Sequence, residues 1–142
     1  MVQALIFDCF GVLITDTPEA VRSGNTKNQA LLDLILKLRQ HYKIGLLSNI
    51  TAEGLASRFS QEELAQHFDC IGISDSMEFA KPQPEAFRHI AEQLGVVADK
   101  CIMIDDTDGH CQGARSTGMQ TVLYRSFEQC KQELEALLGE QL

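Results

Sequence analysis

Basic residues are scarce in this chain: 12 Lys and Arg stand against 20 Asp and Glu, a formal net charge of −8 over 142 residues. Binding to a phosphate backbone or an anionic lipid surface needs clustered cations, so the balance argues against nucleic-acid and membrane partners. No apolar run approaches the roughly 20 residues that a bilayer span requires. The opening Met1-Val2-Gln3-Ala4-Leu5-Ile6-Phe7-Asp8 has no basic stretch ahead of its apolar residues, so no export signal is expected. The five cysteines (Cys9, Cys70, Cys101, Cys111 and Cys130) are odd in number and form no C-x-x-C pair. That speaks against a disulfide framework and a zinc site; small core residues in a reducing compartment, by default the cytoplasm, are expected instead. Repeats, low-complexity tracts and linkers are missing too. With 44% apolar and 23% charged residues, the chain has the composition of one packed domain over residues 1–142.

What is present is a series of short, continuously apolar runs separated by periodic segments. Val2 to Phe7, Ile44 to Leu47, Cys70 to Ile73, Cys101 to Ile104 and Thr121 to Tyr124 read as strands. Between them, Ala30, Leu31, Leu34, Ile35 and Leu38 mark one face of a helix running to about Gln40. Thr51 is placed to cap a helix carrying Leu55, Phe59 and Leu64. Pro84 suits the first turn of a helix ending near Gly95, a further helix runs through Arg115, and a last one covers about Phe127 to Leu138. The polar stretch from Thr15 to Gly24 reads as a loop. Alternating strands and helices with unalternating apolar strands predict an α/β class: a three-layer α/β/α Rossmann-like fold around a parallel five-stranded sheet.

In such sheets ligands bind beyond the carboxyl ends of the strands. Strand one delivers Asp8 there, strand two Ser48 and Asn49, and strand four Asp105 and Asp106, while Lys81 follows strand three. Each has a plainer reading alone: a strand-end Asp caps a helix, Ser48-Asn49 is an ordinary turn, and Lys81 beside Pro82 is a solvated charge. Together they bring three carboxylates, an ammonium, a hydroxyl and an amide to one rim. Crowded carboxylates raise each other's pKa unless cations join them, and a hard divalent ion such as Mg²⁺ prefers carboxylate oxygens. The set suits a phosphoryl group held by metal, ammonium and Ser/Asn donors, with one carboxylate free to attack in line.

These residues carry a resemblance to a known family. Phe7-Asp8-Cys9-Phe10-Gly11-Val12-Leu13, Leu47-Ser48-Asn49, Lys81-Pro82 and Ile104-Asp105-Asp106-Thr107 match, in order, the four motifs of the haloacid dehalogenase-like (HAD) hydrolase superfamily. Gly113-Ala114-Arg115 to Gly118-Met119 is similar to the family's sequence after its acidic motif. The resemblance implies that Asp8 is the nucleophile of a phosphatase that forms an aspartyl-phosphate. It implies that Ser48 bonds the phosphoryl oxygens with Asn49 in support, and that Lys81 neutralises nucleophile and phosphate. It further implies a Mg²⁺ site made by Asp8, Asp106, Asp105 (directly or through water) and the backbone carbonyl of Phe10. His110 then either supports Lys81 or faces solvent.

Two departures from the family pattern shape the expected activity. Phosphatases of the family usually carry an acid/base Asp where this chain has Phe10. General acid–base assistance is typically worth 10²–10⁴-fold, so its absence costs roughly 3–5 kcal/mol of transition-state stabilisation. A weak phosphatase favouring leaving groups that need no proton is the expectation. The alternatives are a non-catalytic binding or regulatory module on the same fold, and a metal-independent 2-haloacid dehalogenase, since those enzymes also carry an aromatic here. The second departure is the short interval between Asp8 and Ser48, which leaves only residues 15–27 where relatives insert a cap domain. That segment suffices for a flap, in which Arg22, Ser23, Gly24 and Asn25 are within reach of substrate. An open mouth suits a phosphoprotein, or a phosphorylated small molecule if a second copy of the chain covers the site.

Overall fold

The computed structural model describes residues 1–142. Five apolar runs form the strands β1 (Ala4–Phe7), β2 (Lys43–Ser48), β3 (Cys70–Ile73), β4 (Cys101–Asp105) and β5 (Gln120–Leu123). They pair in parallel in the order β3-β2-β1-β4-β5. Parallel neighbours need crossovers, and helices supply them: α1 (Pro18–Ser23), α2 (Gln29–Leu38), α3 (Ala52–Ala56), α4 (Gln61–His67), α5 (Pro84–Leu94), α6 (Asp108–Arg115) and α7 (Phe127–Leu138).

Strand side chains point alternately to opposite faces, so each buried strand feeds two cores. Leu5, Phe7, Ile44, Leu46, Ile102 and Ile104 pack on the side of α2 and α7. Ala4, Ile6, Leu47, Cys101 and Met103 pack on the other, against Phe87, Ile90, Ala91 and Leu94 of α5 and Ala114 of α6. The result is the expected three-layer α/β/α arrangement. Burying a side chain such as Phe87 completely contributes about 1.5–3 kcal/mol. Four cysteines are fully buried and Cys70 partly so, all as free thiols. No helix is long and apolar enough to cross a membrane.

Four local features depart from the sequence expectation. The stretch from Thr15 to Gly24 contains a helix, α1, framed by Thr17, whose hydroxyl accepts from the Ala20 amide, by Pro18, and by Gly24 at φ 71°. None of its residues is buried, so no apolar periodicity announced it. The helix expected through Leu55, Phe59 and Leu64 is two helices. Ser60 starts α4 with a reciprocal capping box to Glu63, and Phe59 is buried in the turn between them. Strand β1 starts at Ala4, not Val2, and α2 stops at Leu38, ahead of a turn into Tyr42.

The segment between β1 and α2 is tied down at both ends. Its base closes through Thr15 N–H to the Thr26 carbonyl and Asn28 N–H to the Leu13 carbonyl, both 2.8 Å. Ion pairs tie it to the rest of the fold at either end, Asp16 to Arg58 (3.0 Å) and Lys27 to Glu63 (2.8 Å).

Candidate active site

The chain lays down β1, β2 and β3 in one direction and then crosses to β4 and β5 on the other side of β1. Such a reversal opens a crevice above the strand ends at the switch point, here between β1 and β4. Phe7 registers with Ile104, and the Asp8 amide donates to the Ile104 carbonyl at 3.0 Å. The following residues of the two strands, Asp8 and Asp105, therefore emerge side by side at the crevice. Cys9, one step further, turns to the opposite core.

Lys81 enters from the β3–α5 connection and lies between these acids. Its Nζ is 2.9 Å from Asp8 Oδ1 and 2.6 Å from Asp105 Oδ2, with 1% of the side chain exposed. Its main chain is gripped at both ends by Asn49. The Lys81 amide donates to Asn49 Oδ1 at 3.0 Å, and Asn49 Nδ2 donates to the Lys81 carbonyl at 2.9 Å. The Asn49 carboxamide, expected from sequence to support Ser48 beside the phosphate, holds the lysine's main chain, and the residue also lines the cleft. Lys81 precedes a cis Pro82. The carbonyl of Pro82 lies so close to Gly113 on α6 that any Cβ there would collide with it.

Asp105 is fully buried and also accepts from the Thr107 amide at 3.0 Å, with His110 Nδ1 3.2 Å from both carboxylate oxygens. His110 therefore reaches Lys81 only through Asp105. Asp106 is exposed and leans over Gly11, whose φ is +87° and whose missing Cβ makes room for the carboxylate. Side-chain oxygens of Asp8, Asp105 and Asp106 lie within 4.8 Å of one another.

Three carboxylates face one ammonium here. Burial, reinforced by the charge of Asp105, pushes the Asp8 carboxyl up to about 7, against the pull of Lys81. A hard cation would relieve that excess, and the donor set of close carboxylate oxygens suits Mg²⁺. The Phe10 carbonyl accepts no backbone hydrogen bond, which leaves it free as a further oxygen donor. Burial and the neighbouring Asp8 push the Cys9 thiol up to about 12, so it is no nucleophile.

Above the acids lies an open cleft of about 550 Å³ lined by Asp8, Phe10, Ser48, Lys81, Asp106 and His110, with Thr51 and Gly54 on the wall from α3. Arg22, Ser23, Gly24 and Asn25 do not line it. Phe10 is 39% exposed, and the Arg58 guanidinium stands 5.2 Å from its ring centroid. Sequence reading missed Arg58 altogether. Its relation to Phe10 is made by the fold, and no local pattern marks it.

The haloacid dehalogenase-like hydrolase family matches residues 11–124 of the chain. The fructose-1-phosphate phosphatase YqaB of Escherichia coli (strain K12) is 34% identical over 116 residues, covering 78% of this chain and 60% of that protein. The curated relatives are longer proteins: for two of them, rat bifunctional epoxide hydrolase 2 and YqaB, the chain spans 14% and 60% of the length. An uncharacterised protein from Corynebacterium glutamicum superposes with a TM-score of 0.80 at 22% identity, covering 100% of this chain and 98% of that one. The HAD family enzyme bt-2542 of Bacteroides thetaiotaomicron, crystallised with magnesium and inorganic phosphate, gives a TM-score of 0.74 at 22% identity, covering 89% and 96%. These two structures share the fold. With its motif-bearing strands in order around the switch-point crevice, the chain belongs to the haloacid dehalogenase-like hydrolase family.

Proposed function

We propose that the chain is a Mg²⁺-dependent phosphatase that acts through an aspartyl-phosphate on Asp8 and is weak toward alkyl esters. The observation that carries this reading is Lys81 Nζ, buried and shared between Asp8 and Asp105, beneath an open cleft with Asp106 at its edge. Asp8, Asp106, the Phe10 carbonyl and Asp105, directly or through a water, would hold the metal, which when bound supplies positive charge against the phosphoryl oxygens. Ser48 lines the cleft and donates to a phosphoryl oxygen, and Lys81 neutralises both nucleophile and phosphate.

One Asp8 oxygen attacks phosphorus in line. The P–O bond to the leaving group breaks and its electron pair stays on the leaving oxygen. Water then attacks the phosphorus of the acyl phosphate, the P–O bond to Asp8 breaks, and inorganic phosphate leaves with the water's oxygen, its proton passing to solvent. Phe10 has no proton to give in the first step or to take in the second. Turnover is therefore fastest with acyl and aryl phosphates, whose leaving oxygens tolerate charge. Substrates are phosphorylated small molecules, as the names of the phosphatase relatives indicate for those proteins, or phosphoproteins admitted by the uncapped mouth. The free thiols fit a cytoplasmic location.

The test is hydrolysis of an aryl phosphate with and without Mg²⁺, in wild type and Asp8→Asn. Activity that requires both metal and Asp8 supports the reading. Mg²⁺-independent halide release from a 2-haloacid would replace it with the dehalogenase. Neither activity, with no thermal stabilisation by Mg²⁺ and phosphate, would leave a non-catalytic module.

A further inference from the structure

The guanidinium over Phe10 is tied to the reaction by neither the family motifs nor the proposed chemistry. Arg58 lies in the turn after α3 and does not itself line the cleft; its guanidinium stands 5.2 Å from the ring centroid of Phe10, which does. Its Nη1 and Nη2 donate to Asp16 Oδ1 and Oδ2 at 3.0 and 3.1 Å. A guanidinium has five N–H donors, so three remain uncommitted, on a side chain that is 30% exposed. Asp16 sets its orientation and the Phe10 ring supports it at 5.2 Å, which makes it a fixed cation rather than a floating surface charge.

We propose that Arg58 is a specificity-determining residue that receives a second anionic group, carboxylate or phosphate, on the part of the substrate beyond the reacting phosphoryl group. The proposal rests on the phosphatase reading, in which the phosphoryl sits on Asp8 and its leaving group points outward past Phe10. Two consequences of the geometry support it. Residue 10 delivers no proton, so the electron pair of the breaking P–O bond stays on the leaving oxygen, and a fixed cation nearby lowers the cost of that charge. Of the residues that line the cleft only Lys81 and His110 can carry positive charge, and both are engaged with Asp105, so a second anion at the mouth needs a further cation.

The experiment is calorimetric binding to the Mg²⁺-loaded full chain of three probes: inorganic phosphate, phosphonoacetate and methylenediphosphonate. Wild type is compared with Arg58→Gln and Asp16→Asn. The charge-assisted bonds lost in Arg58→Gln should weaken the two probes that carry a second anionic group by about tenfold or more, and phosphate by less than about twofold. Asp16→Asn removes the competing carboxylate charge and frees one donor, while its Oδ1 still accepts from the other Nη and keeps the guanidinium in place; it should tighten the same two probes. Opposite shifts in the two variants support the proposal, and whichever probe responds more identifies carboxylate or phosphate as the second group. If Arg58 only ties down the segment between β1 and α2, both variants break the same ion pair and shift all probes alike, which overturns the proposal and leaves the phosphatase reading intact. Failure of wild type to bind phosphate at all would remove the phosphatase reading, and this inference with it.

Discussion

The elevated Asp8 carboxyl makes the stability of the metal-free protein depend on pH in a specific direction. Asp8 rises from 3.8 to about 7 because it is buried beside Asp105, with one ammonium shared between the two. The folded protein therefore binds the Asp8 proton more tightly than the unfolded chain does. The stabilisation is fully present below the unfolded value and is lost as pH rises through the folded one. At 1.36 kcal/mol per unit, the loss between about pH 5 and pH 8 is about 2–3 kcal/mol. Urea unfolding in chelator at those two pH values measures it. Asp8→Asn is the control, because Lys81 keeps Asp105 as partner while the titrating group is gone. Wild type should lose about 2–3 kcal/mol relative to Asp8→Asn on going to the higher pH. Mg²⁺ should restore more stability at pH 8 than at pH 5, since it binds the ionised carboxylate. A pH dependence that survives unchanged in Asp8→Asn, or a larger Mg²⁺ effect at pH 5, would refute this account of the site's charge.

Other substitutions test separate parts of the structure. Gly11→Ala places a Cβ on the Asp106 carboxylate at a φ of +87°; it should cost about 1–2 kcal/mol in urea unfolding and weaken Mg²⁺ binding measured by calorimetry. Gly113→Ala drives a Cβ into the Pro82 carbonyl and the Phe87 ring; about 1–3 kcal/mol of overpacking and a fall in kcat through the displaced Lys81 are expected, read by unfolding and steady-state kinetics. Phe10→Asp supplies the missing acid/base and should raise hydrolysis of an alkyl phosphate by about 10²-fold or more while changing that of an acyl phosphate far less. Equal effects on the two substrates would mean that proton transfer is not what limits the wild type.

The strands were legible in the sequence because both faces of each are buried, so they read as unbroken apolar runs that stop at polar residues. Those stops mark the candidate site: Asp8, Ser48, Asp105 and Asp106 are visible as the points where β1, β2 and β4 end. Less legible were elements whose signal is capping rather than burial. Thr17-Pro18 and Gly24 frame α1 without one buried residue, and the spacing of Leu55, Phe59 and Leu64 hid the Ser60–Glu63 capping box that divides α3 from α4. Least legible were relations made only by tertiary structure. Asn49 grips Lys81 across 32 residues, and Asp16 meets Arg58 across 42. No local propensity encodes such pairs, because each partner looks like an ordinary surface polar residue until the sheet assembles.

Covalent chemistry at Asp8 is the claim on which the rest depends, and acid-quenched peptide mass spectrometry during turnover of an acyl phosphate tests it directly. With Mg²⁺, wild type should carry one phosphoryl group on the peptide containing Asp8, discharged by hydroxylamine as an acyl phosphate must be. It should be absent from Asp8→Asn and from the chelated protein. Turnover that persists in Asp8→Asn, or a phosphoryl group found on any other residue, would contradict the account.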